Sequence, residues 1–149
     1  MNFLYISRDL VSCFAAVILF CIGMSLPKKA LVPSSILASA SYLIYRFVFL
    51  SGHEMLGYLC ATLFGAICSE LLARSLKMPT TVFVIPSVIP LVPGVGLHRS
   101  MLCLINNDIN GFVSQGIKTL FISGIIAVTV AVINSAFRGF RAKNIPTDD

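Results

Sequence analysis

Five stretches of this chain carry no charged side chain: residues 10–27, 30–45, 55–69, 78–97 and 119–137. Nothing else in the sequence restricts the fold as severely. A helix needs about 20 apolar residues to cross a hydrocarbon layer roughly 30 Å thick, and these runs approach that length. Composition closes off a water-facing alternative. Hydrophobic residues make up 57% of the chain, charged residues 11%, and mean hydropathy is +0.93. A soluble domain carries about a quarter charged residues, so this chain has too few to coat a sphere of its size. The expected class is an all-α integral membrane bundle of about five transmembrane helices, its apolar faces solvated by lipid.

Punctuation between the runs sets the expected boundaries. One domain over 1–149 holds helices at 10–26, 34–50 and 54–76, a broken apolar segment at 81–106, a helix at 112–137 and a basic tail at 138–149. Pro27-Lys28-Lys29 stops the first helix, Ser51-Gly52-His53 turns the second, and Lys77-Met78-Pro79 closes the third. The first segment does not read as a cleaved leader. Arg8 and Asp9 stand where a basic cluster would be, and no small-residue cleavage site follows Leu26. An odd number of crossings places the termini on opposite sides. Lys28, Lys29, Arg74, Lys77, Arg138, Arg141 and Lys143 then share one side, against Arg8, Arg46 and Arg99 on the other. The positive-inside rule makes the richer side cytoplasmic, with the N-terminus out and the C-terminus in.

Two rows of small residues recur every four positions: Gly57, Ala61, Gly65 and Ser69 on the third helix, and Ser123, Ala127, Ala131 and Ser135 on the last. Such rows let helices approach closely in lipid, where packing drives association, but they do not say whether the contact lies inside the chain or with another subunit. Cys13, Cys21, Cys60, Cys68 and Cys103 all fall in apolar stretches without C-x-x-C spacing, so each reads as a small hydrophobe and no metal or redox cofactor is expected. Basic loops at a membrane face account for the net charge of +5 without nucleic acid.

The segment Val84–Gly96 is the most informative. Pro86, Pro90 and Pro93, followed by Gly94 and Gly96, should break the helix near mid-depth, because proline lacks an N–H and clashes with the carbonyl four residues back. Irregular backbone at that depth is tolerated when buried in protein or facing a water-filled cavity, and transporters build binding sites from such breaks. A second half-helix starting near Val95 would present free N–H groups to a carboxylate. A kinked packing helix without a ligand is the alternative. Together with Leu97-His98-Arg99-Ser100-Met101, this segment resembles the Pro-x-x-Pro-Gly region of the threonine/serine exporter family. The short length, small-residue helices and basic C-terminus resemble its small-subunit, YjjB-like form, which corresponds to the C-terminal half of the fused exporters. That resemblance implies a bacterial inner (cytoplasmic) membrane and a larger multi-helix partner subunit of the same family. It implies export of a small amino-acid or carboxylate substrate, either threonine and serine or dicarboxylates such as succinate.

Pro90, Pro93, Gly94, Val95, Gly96 and Arg99 are therefore the expected substrate contacts, with the Arg99 guanidinium gripping a carboxylate. Glu70 and Lys118 are candidate coupling groups. Glu70 also sits four residues before Arg74, the spacing of a local ion pair. Arg46 and Arg74 read as anchors reaching the headgroups. No Ser–His–Asp pattern, H-E-x-x-H or phosphate loop is present, so enzyme function has no support. A non-transporting membrane scaffold is the rival to an exporter subunit.

Overall fold

The computed structural model describes residues 3–142, with side chains described over 8–137. Its elements, in order, are α1 (Phe3–Gly23), α2 (Lys28–Leu50), α3 (Glu54–Leu76), α4 (Thr81–Val88), a 3₁₀ turn (Ile89–Leu91), α5 (Gly94–Ile105) and α6 (Ile109–Ala142). Among the described residues three helices (α2, α3 and α6) are long and apolar enough to cross a membrane, four if the bent pair α4–α5 counts as one broken span, against the five crossings expected. The molecule is an all-α membrane bundle. The side chains of the basic tail expected over 138–149 lie outside the described residues.

Three helix ends share one device. Ser25, Lys77 and Asn107 adopt the left-handed backbone conformation. The next N–H reaches back to the third-last helical carbonyl or its equivalent: Leu26 to Cys21, Met78 to Ala73 and Asp108 to Cys103, at 2.9–3.1 Å. This cap satisfies carbonyls that the helix end would leave open, here without glycine at the left-handed position. Several boundaries differ from those expected. Charge gaps placed the start of the first helix at residue 10, but α1 begins at Phe3 and carries Arg8 and Asp9 within it. The second helix begins at Lys28 rather than 34, because Pro33 sits in its second turn and costs a single backbone bond there. The last begins at Ile109 rather than 112, since Asp108 Oδ1 accepts the Gly111 N–H at 2.9 Å and caps the first turn.

Helices α1, α2 and α3 lie side by side, and α4 packs against all three. After the bend α5 leaves them and runs along α6, which packs in turn on α3. The interior is built from small residues. Gly57, Ala61, Gly65 and Ser69 are all buried, so the row on α3 is used inside the chain. A Cβ on Gly65 would stand 2.9 Å from Ser41 Oγ and 3.2 Å from Ser87 Oγ, which makes this the close meeting of α2, α3 and α4. Some buried hydroxyls are satisfied locally, with Thr62 donating to the Tyr58 carbonyl at 2.7 Å and Ser39 to the Ser35 carbonyl at 2.9 Å, whereas Ser41 Oγ is buried without a hydrogen bond. By contrast, Ser123, Ala127, Ala131 and Ser135 on α6 are exposed. The outer surface also exposes Phe47, Leu120 and Ile105 by more than 70% each, an arrangement suited to lipid and not to water.

Candidate functional site

Helix α4 fails where the prolines stand. Pro86 has no N–H for the Val82 carbonyl, and Ser34 Oγ on α2 donates to that carbonyl instead, at 3.4 Å. A neighbouring helix thus replaces the bond that proline removed, as buried backbone in a membrane requires. The chain then tightens into the 3₁₀ turn, Val92 turns extended with φ −60° and ψ 127°, and α5 sets off at 47° to the preceding segment. The Gly94 N–H is taken by the Val92 carbonyl at 2.7 Å, and no side chain caps the start of α5.

A cavity of about 370 Å³ opens beside the break, walled by Asp9, Ser12, Cys13, Ala16 and Val17 of α1, Tyr42 of α2, and Ile89 and Pro90 of the turn. That volume lies within the range of small-molecule sites. Two larger grooves present mainly apolar surface. One, of about 730 Å³, lies between α5 and α6, and the other, of about 570 Å³, lies along α6. Neither is lined by a charged side chain, whereas the cavity at the break joins charge, hydroxyls and irregular backbone. Asp9 Oδ2 stands 3.8 Å from Arg46 Nη2, and Asp9 Oδ1 stands 3.9 Å from Arg8 Nη2. Arg46 Nε is buried and makes no hydrogen bond.

The residues expected from sequence do not all converge here. Pro90 walls the cavity, and Pro93 is buried at the bend. Gly94 and Val95 are exposed, and a Cβ on Gly94 would meet nothing within 4 Å. Gly96 lies hard against Thr119, so its missing Cβ serves the contact between α5 and α6. Arg99 is exposed on α5 and is not among the residues lining the cavity. Glu70 accepts from Thr80 Oγ1 at 2.7 Å and pairs with Arg74 at 3.4 Å, while the Arg74 guanidinium lies 4.8 Å over the Phe137 ring. This cluster ties α3 to the start of α4 and to α6. Lys118 pairs with Glu54 at 2.6 Å, joining α6 to α3 at the other end. Asp9 and Tyr42 in the cavity wall, and Arg46 paired with Asp9 from outside it, were not expected from sequence. The available signal was depth: Asp9 near the start of the first helix and Arg46 near the end of the second share a level once the two run antiparallel.

A family model described as threonine/serine exporter, ThrE, matches residues 9–136. No curated protein and no solved structure matches the chain.

Proposed function

The chain belongs to the threonine/serine exporter family, and from that premise we propose that it is the small subunit of a two-component secondary exporter of small carboxylate metabolites. Threonine, serine and dicarboxylates such as succinate are the candidate substrates. The carrying observation is the break itself, a bent helix pair whose turn walls a cavity that Asp9, Ser12 and Tyr42 also line. Secondary transporters place discontinuous helices at their substrate sites, because backbone freed by a break is tolerable only beside a cavity or a protein partner. In this reading Pro90, Pro93 and Gly94 hold the path open. The start of α5 at Val95 and Gly96, with Arg99 a turn further on, stays available to substrate or partner.

A larger membrane subunit of the same family completes the path. The exposed row Ser123, Ala127, Ala131 and Ser135 on α6 supports that reading, since α3 already uses its own row internally. The proposed setting is a bacterial inner membrane with the N-terminus outside, α1 supplying the fifth crossing.

Export assays on cells lacking relatives decide the matter. Co-expression with the larger subunit should give efflux of preloaded threonine or serine, and this chain alone should give none. Efflux from liposomes holding only the purified chain would remove the need for a partner. Assembly with the partner but no efflux of any candidate would favour the scaffold.

A further inference from the structure

We infer that a single buried water bridges Ser41 of α2 and Ser87 of α4 across Gly65 of α3, making a hydrated joint just ahead of the break. Gly65 is the middle residue of α3, and Ser87 stands near the end of α4, shortly before the 3₁₀ turn. Ser41, Ser69 and Ser87 bring hydroxyls from three helices to this level, and all three residues are fully buried.

Their hydrogen bonds do not close among themselves. Ser87 Oγ donates its proton to the Val84 carbonyl at 2.8 Å, so toward the junction it offers only lone pairs. Ser69 Oγ reaches it at 3.5 Å, beyond the usual length of such a bond. Ser41 Oγ bonds to nothing. A buried hydroxyl left open forfeits its hydration, which is why nearly all such groups find a partner. The local option is the carbonyl four residues back, which Ser39 uses at Ser35 and Ser41 does not use at Leu37.

Gly65 marks where the partner sits. A Cβ built there would stand 2.9 Å from Ser41 Oγ and 3.2 Å from Ser87 Oγ, so both oxygens border one point between the helices. They do not bond each other, yet one small molecule can touch both. Ser41 has a free proton and Ser87 has free lone pairs, so the guest must accept at one end and donate at the other. Water does both, whereas a bare cation would leave the Ser41 proton unused. A buried water makes about three hydrogen bonds to groups that otherwise lack them, and Ser69 Oγ is the third oxygen at hand. The guest thus ties the first half of the broken span to the two helices that flank it.

The test uses the full chain in detergent, with unfolding read by denaturant titration. A hydroxyl bonded through water stabilises the fold, so Ser41→Ala should shift the equilibrium severalfold toward the unfolded state. An orphaned hydroxyl only costs stability, so a neutral or more stable variant would overturn the bridge. In a Ser87→Ala background, where the bridge is already cut, Ser41→Ala should cost little. A full, additive cost there would mean that the two serines share no guest. Crystallographic density of the unaltered protein should show a peak within hydrogen-bond distance of both oxygens, a readout that stands even if a variant fails to fold. A Ser41 hydroxyl turned onto the Leu37 carbonyl, with no such peak, would sink the idea. So would stabilisation by sodium chloride over choline chloride that Ser41→Ala removes, because the guest would then be a cation.

Discussion

Gly65 and Gly124 show how one residue type carries different weight in this molecule. At Gly65 a side chain would run into Ser41 and Ser87, whereas a Cβ on Gly124 would meet nothing within 4 Å. Overpacking a tight interior costs about 1–3 kcal/mol. Gly65→Leu should therefore lower resistance to unfolding in detergent by that amount, and Gly124→Leu should leave the isolated chain unchanged. Comparing the two by thermal unfolding tests whether α2, α3 and α4 meet there. Lys118 makes a second residue-scale case. Its bond to Glu54 is short, but both side chains are substantially exposed, and such pairs contribute at most about 1 kcal/mol. Lys118→Met should cost no more than that and leave export per assembled molecule unaltered. A changed ion or proton dependence of export in that variant would instead make Lys118 a coupling group.

Among the helices, α4 depends most on a neighbour. Its Val82 carbonyl loses a partner to Pro86 and recovers one from Ser34 on α2. Ser34→Ala should cost about 1 kcal/mol, the usual value of a hydrogen bond. In a Pro86→Ala background the cost should vanish, because alanine restores the N–H that the carbonyl lacks. A double-mutant cycle read by detergent unfolding measures this coupling directly. On α6 the question concerns a partner instead. Ala131→Trp places bulk in the exposed small-residue row, where the isolated chain makes little use of it. Recovery of the larger subunit by co-purification should fall sharply, while the amount of this chain in the membrane holds.

For the whole molecule, the asymmetry of basic residues predicts orientation. A reporter fused after Asp149 should be active in the cytoplasm, and one fused ahead of Met1 in the opposite compartment; the reverse pattern would invert every assignment of inside and outside made above. Much of the architecture at this scale was legible beforehand. The third helix has the expected ends at Glu54 and Leu76, and the fourth segment breaks among its prolines. The first, second and last helices start earlier than charges and prolines imply, at Phe3, Lys28 and Ile109. A helix in fact tolerates both near its ends when a neighbour or the interface accommodates them.

What the amino-acid sequence determined by itself is what local chemistry controls: apolar runs long enough to span lipid, and a helix interrupted where proline withholds its N–H. What the tertiary structure decided is which distant segments meet. It brings Asp9 of α1 to 3.8 Å from Arg46 of α2 and onto one cavity wall with Pro90, and it leaves Arg99 exposed on α5. It buries the small-residue row of α3 and exposes that of α6, although the two rows share a spacing. Helix periodicity assigns a residue to a face of its own helix, but which face is covered depends on the packing of other helices against it, and no local pattern in the chain records that.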